Sequence, residues 1–141
     1  REIVPWEGHC PVHQDLTAAE VRQTKQAWPG APFAAHPECN PAVLDEADFV
    51  GSTTAILRFA RETDAQTVII GTERGIFHRL RQENPAKRFI PASEGLLCET
   101  MKYTTLTDII TALETMPPVI SVPEPVRIPA KRALDRMLAL G

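Results

Sequence analysis

A histidine, a carboxylate and a thiol crowd into four residues at His36-Pro37-Glu38-Cys39. His and Glu are both types that proteins tune to titrate near neutrality, so His36 and Glu38 together could move protons. The ordinary alternative is a solvated loop at a strand end. Ser52-Thr53 follows Gly51 at an expected helix start. Free N–H groups there, with two hydroxyls, would suit a carboxylate or phosphate. The plainer role for such residues is an N-cap. Cys10, Cys39 and Cys98 allow two metal readings. Cys10-x-x-His13 and His36-x-x-Cys39 have the spacing of two half zinc sites. Cys10 and Cys98, both on glycine-containing loops, could instead be thiolate ligands of an iron–sulfur cluster. Each cysteine could equally be a small buried hydrophobe.

These groups need a frame, and the apolar runs supply one. Phe33-Ala34-Ala35 precedes His36. Similar runs precede Gly51-Ser52-Thr53, Gly71-Thr72-Glu73 and Glu94-Gly95-Leu96-Leu97-Cys98. Thr67-Val68-Ile69-Ile70 is β-branched and reads as a strand. Arg88-Phe89-Ile90-Pro91 reads as a short fourth strand closed by its proline. Helices are expected between the strands. Thr17-Ala18-Ala19-Glu20 is a capping box opening one to about Trp28, stopped by Pro29-Gly30. Pro41 to Leu44 suggests one helical turn. A second helix should run from Ser52 to about Thr63. A third should start at Gly71-Thr72-Glu73, where Glu73 would favour the helix dipole, and end at Asn84-Pro85. A fourth is capped by Thr105 and Asp108 and carries Leu106, Ile109, Ile110 and Leu113 at helical spacing. Trp6 and Trp28 are expected to be packing residues, and Arg79, Arg81, Lys87 and Arg88 a solvated surface.

Strands alternating with helices imply an α/β fold, a three-layer αβα sandwich on a mainly parallel sheet. Right-handed crossovers would then put all four polar clusters on one sheet edge, where ligands bind in such folds. Five prolines between Pro117 and Pro129 point to an extended arm, followed by a last helix from about Ala130 to Leu140.

The bulk properties exclude several classes. With 141 residues and a mean hydropathy of -0.15, the composition is that of one globular domain. A net charge of -3 without a basic block argues against nucleic-acid binding. No apolar run approaches the roughly 20 residues that span a bilayer, so no membrane partner is expected. Three cysteines suit a reducing compartment or a metal site better than a disulfide scaffold. The first residues are not signal-like and lack an initiator Met, so processing or a longer parent protein is expected.

Taken in order, Gly8-His9-Cys10-Pro11-Val12-His13, His36-Pro37-Glu38-Cys39, Ala47-Asp48-Phe49-Val50-Gly51-Ser52-Thr53, Gly71-Thr72-Glu73, Asn84-Pro85-Ala86-Lys87-Arg88-Phe89 and Cys98-Glu99-Thr100-Met101-Lys102 resemble the quinolinate synthase family of bacterial NAD biosynthesis. The resemblance covers essentially the whole chain. It implies three similar αβα domains around a [4Fe–4S] cluster, with one cysteine from each and one iron open to substrate. Cys10 and Cys98 would be two of those ligands, and Cys39 would not be one. His13, His36 and Glu38 would be catalytic, and His36, Glu38, Ser52 and Thr53 would bind substrate. The implied reaction condenses iminoaspartate with dihydroxyacetone phosphate to quinolinate, a transferase reaction in the cytoplasm. Residues 1–15 would end a second domain, 16–116 would form the third, and 117–141 would return to a first domain that this chain lacks. On that expectation the chain is a C-terminal piece, inactive without its N-terminal domains. Glu99, Thr100 and Met101 stand where some relatives carry further cysteines, so no redox switch is expected there. The competing expectation is a non-catalytic α/β domain that binds zinc or an anion.

Overall fold

A computed structural model describes residues 2, 4, 5, 7–116 and 119–140. Trp6, Pro117 and Pro118, given roles above, lie outside the described residues, as does Gly141. The chain divides into two compact units, Arg1–Met101 and Lys102–Gly141.

The first unit is built on four parallel strands: β1 (Phe33–Ala35), β2 (Phe49–Val50), β3 (Thr67–Gly71) and β4 (Arg88–Pro91), in the order β2-β1-β3-β4. The helices are α1 (Pro11–Gln14), α2 (Ala18–Ala27), α3 (Pro41–Leu44), α4 (Thr53–Glu62) and α5 (Ile76–Glu83). Successive strand residues face opposite ways, and the core divides accordingly. Phe33, Ala35 and Ile69 pack with Val21 of α2 and Val43 of α3. Ala34, Val68 and Ile70 pack with Ile56 and Leu57 of α4 and Phe77 and Leu80 of α5. Two cores on opposite faces of one sheet make the three layers.

The helix starts follow local chemistry. Thr17 and Glu20 form the expected capping box on α2, and the Glu20 carboxylate also accepts from Ser93 Oγ at 2.6 Å. Asn40 caps α3 by accepting from Val43 N–H, and Ser52 caps α4 by accepting from Ala55 N–H. Gly71 ends β3 because nothing larger fits: a Cβ there would lie 2.6 Å from the Phe33 ring. Trp28 is half-buried, with the Arg88 guanidinium 5.2 Å from its ring centroid.

Four expectations change. Cys10 to His13 is not all loop: Pro11 at the first helical position starts α1, where its missing N–H costs nothing. α5 begins at Ile76, later than expected, so Glu73 is outside the helix and accepts from Gly75 N–H at 2.6 Å instead. Lys87 is more than solvated surface: its ammonium donates to the carbonyls of Ala60, Arg61 and Thr63 at the end of α4. A cation at a helix C-terminus is favoured by the helix dipole.

The fourth change lies in the second unit, which holds α6 (Leu106–Thr115) and α7 (Glu124–Leu138). α7 starts at Glu124 and not near Ala130, so Pro125 and Pro129, expected in an extended arm, lie in the helix. Pro125 sits in the first turn, where backbone N–H groups lack partners anyway. Pro129 is inside the helix, and ion pairs Arg127–Glu124 and Lys131–Asp135 flank it. Such pairs stabilise a helix by a few tenths of a kcal/mol each, roughly 0.2–0.5. The Thr105–Asp108 capping box forms, and the Leu106, Ile109, Ile110, Leu113 stripe is exposed.

Candidate functional site

All four polar clusters follow the carboxyl ends of the parallel strands. His36 leaves β1, and its N–H donates to Gly71 O at 3.1 Å. Thr72 leaves β3 and is buried. One turn of α1 puts Cys10, its N-cap, and His13 on the same side. His13 is buried, while Glu38 is 55% exposed at its side chain.

The contacts centre on His13. Its Nδ1 lies 2.9 Å from Glu38 Oε2 and its Nε2 lies 3.0 Å from Thr72 Oγ1. The His36 ring stacks on it with centroids 4.3 Å apart and planes 8° from parallel. His36 Nδ1 is 3.5 Å from Glu38 Oε2 and accepts from Glu38 N–H at 3.3 Å. Gln14 Nε2 donates to Glu38 O at 2.6 Å, which ties the β1 loop to α1. Burial lowers the His36 pKa below its ordinary 6.5, the His13 ring adds to this, and the Glu38 carboxylate opposes it. An imidazole beside a carboxyl group is a pair suited to passing a proton.

The cysteines differ. The Cys10 thiol, an imidazole nitrogen of His13 and a carboxylate oxygen of Glu38 all lie within 4.8 Å of one another. Cys39 is 3% exposed, its thiol pointing at Gly71 O 3.6 Å away, and burial raises its pKa to about 11. Cys98 lies outside the Cys10 group, on the loop after β4. Its Sγ is 3.2 Å from Thr100 Oγ1, and hydrogen bonds from Thr100 and from the Met101 backbone lower its pKa. Glu73 ties this loop down: Oε1 accepts from Cys98 N–H at 3.4 Å, and Arg74 N–H donates to Leu96 O at 2.9 Å.

Of the expected site residues, the structure thus gathers His13, His36, Glu38 and Cys10. The zinc set Cys10, His13, His36 and Cys39 is not assembled among the described residues: Cys39 is turned into the core and Glu38 takes a place beside Cys10. Ser52 is the α4 N-cap and Thr53 its first residue. Ser52 also lines a cleft of about 280 Å³ with Thr54, Ala55, Arg58 and Arg61. Thr72 was missed as a partner of His13. Its place in an edge cluster was the signal, but nothing in the order of residues said which histidine it would meet.

Comparison with known proteins follows the same lines. A family model described as "NadA: Quinolinate synthetase A protein" matches residues 1–139. Among curated relatives, the "Quinolinate synthase" of Geobacter sp. (strain M21) is 53% identical over 135 residues, covering 96% of this chain and 44% of the relative. That of Pelobacter propionicus is 49% identical over 139 residues, covering 99% of this chain and 46% of the relative. "Quinolinate synthase 1" of Methanosarcina acetivorans is 45% identical over 140 residues, with 99% and 46% covered. The chain therefore spans just under half the length of these relatives. It belongs to the quinolinate synthase family.

Proposed function

We propose that this chain is the C-terminal part of a quinolinate synthase. The whole protein would condense iminoaspartate with dihydroxyacetone phosphate to quinolinate, losing phosphate and water, as a cytoplasmic transferase in NAD biosynthesis. The observation that carries the reading is identity of 53% over 96% of the chain. Residues 1–15 would end the preceding domain, 16–116 would form the third domain, and 117–141 would return toward the part of the relatives that this chain does not span.

The residues fit a [4Fe–4S] cluster by donor chemistry. Cys10 and Cys98 are half-exposed thiols, and Cys98 is biased toward thiolate by its hydrogen bonds. These two would be ligands, with a third thiolate from the N-terminal part. Cys39, buried and held protonated, is unsuited. When bound, the cluster supplies Lewis-acid polarisation of a substrate oxygen.

The remaining work falls to the chain's own side chains. Glu38, exposed toward solvent and hydrogen-bonded to His13, takes a proton from substrate at Oε2 and relays it through His13 or His36. His13 would polarise a carbonyl or phosphate oxygen through Nδ1–H once a substrate oxygen takes the place of Glu38 Oε2. Ser52 uses one oxygen lone pair on Ala55 N–H, which leaves its O–H to donate to an acid group. Thr53, exposed at the first position of α4, offers a hydroxyl beside it. The cation of Arg58 along the same cleft favours an anionic ligand, while Arg61 is paired with Glu83 at 2.8 Å.

The test is anaerobic assay of the full-length protein that carries this chain. Quinolinate should form from the two substrates, and its absence with cluster intact overturns the reading. Glu38→Gln should cut turnover at least about 100-fold, in line with the loss of a general base, while sparing the cluster's absorbance. Unchanged turnover removes Glu38 from the mechanism.

A further inference from the structure

Cys10, His13 and Glu38 present one sulfur, one nitrogen and one oxygen within 4.8 Å of one another. That mixture is the donor set of a single zinc-class cation, not of a cluster held by thiolates. In a tetrahedral zinc site, bond lengths near 2.0–2.3 Å put ligand atoms about 3.5 Å apart. His13 Nδ1 and Glu38 Oε2 are already at 2.9 Å, so the ion has only to part them slightly and draw the thiol in.

The surroundings are also those of a metal site. A ligating histidine usually gives its other ring N–H to a fixed oxygen. Here His13 Nε2 faces Thr72 Oγ1 at 3.0 Å, buried from water. Glu38 is fixed through both backbone groups, its carbonyl by Gln14 and its N–H by His36 Nδ1. Without metal, a proton must lie between Nδ1 and Oε2 to bridge facing lone pairs, and the Thr72 hydroxyl can donate its own to Nε2. A cation bound to Nδ1, Oε2 and Sγ replaces it: the thiol loses its proton, the imidazole keeps one on Nε2, and Thr72 becomes the acceptor. The exposed side of Glu38 leaves a fourth position for water.

We propose that Cys10, His13 and Glu38 form a mononuclear site for a divalent zinc-class cation, with water as fourth ligand, which fills when the iron–sulfur cluster is absent. Occupation of the two is mutually exclusive because both need the Cys10 sulfur. This second clause rests on the assignment of Cys10 as a cluster thiolate.

Anaerobic titration of the metal-free chain with Co²⁺ tests the site directly. One equivalent should bind, with a near-ultraviolet thiolate-to-cobalt charge-transfer band and the visible bands of a four-coordinate ion. Cys10→Ser, a half-exposed position that leaves the core untouched, should abolish the charge-transfer band. Glu38→Gln should weaken binding at least about 10-fold, and Thr72→Val by about 10–100-fold as the loss of an outer-shell partner. Cys39→Ser and Cys98→Ser should bind as the parent chain does. Absence of stoichiometric cobalt, or a charge-transfer band that survives Cys10→Ser but not Cys98→Ser, overturns the site. In the full-length protein, preloading with Zn²⁺ should block later uptake of iron and sulfide. If cobalt binds as described but zinc leaves cluster uptake unchanged, the mononuclear site stands and the assignment of Cys10 to the cluster falls.

Discussion

Cys39 is next in sequence to Glu38 and shares none of its chemistry. The chain turns after His36, and Cys39 N–H bonds back to His36 O at 3.0 Å, which points the thiol inward while Glu38 stays at the rim. Burial and a pKa of about 11 both suppress thiolate formation, and only the thiolate reacts. Alkylation of the native, metal-free chain at pH 8 should therefore label Cys10 and Cys98 and leave Cys39 intact until denaturant is added. Mass spectrometry of the labelled peptides checks this; early labelling of Cys39 would contradict its placement in the core. His13 shows the same lesson in reverse. It is buried, yet each ring nitrogen has an oxygen partner, so desolvation is offset by hydrogen bonds.

At the level of elements, two joints hold the site edge together. One is the α2 start. Glu20 accepts from Ser93 Oγ and from Thr17 Oγ1 and N–H, which lowers its pKa below the usual 4.5. A carboxylate with a depressed folded-state pKa stabilises above its unfolded pKa, and the gain disappears as pH falls through the folded value. The parent chain should thus lose more stability between about pH 5 and pH 3 than Glu20→Gln does, as urea midpoints across that range would show. The other joint is Gly71, whose carbonyl accepts from His36 N–H and whose missing side chain admits the Phe33 ring. Gly71→Ala forces ring against methyl and should cost about 1–3 kcal/mol, measured by equilibrium unfolding. Because the clash lies between β1 and β3, the His13–His36 stack should loosen too, visible as altered imidazole chemical shifts.

For the whole molecule, what matters is how many thiolates one chain can offer. Among the described residues no helix is long and apolar enough to cross a membrane. The chain matches just under half of its relatives' length. On the proposed assignment it supplies two cluster ligands of three. After the same anaerobic reconstitution and gel filtration, the chain alone should retain well under half the iron and sulfide of the full-length protein. Equal retention would mean that Cys10 and Cys98 suffice, or that the ligand set is different. Glu73 belongs to this scale as well, since it links the loops after β3 and β4 and so sets where Cys98 is presented.

The order of residues by itself determined the layered α/β plan and the edge on which the chemistry lies. Hydrophobic periodicity and caps such as Thr17–Glu20 and Thr105–Asp108 are local signals, and parallel strands leave one choice of edge. The motif series also carried the family. Helix starts in proline-rich or loop-like stretches were less legible: α7 begins before Pro125, because a proline in a first turn is no obstacle. Only the tertiary structure decided the partners, because contacts across 25 and 59 residues carry no spacing rule. It put Glu38 and Thr72 on the two nitrogens of His13, and it buried the Cys39 thiol against Gly71 O. Which side of a loop meets which neighbour is fixed by packing of the whole sheet, and no local pattern contains it.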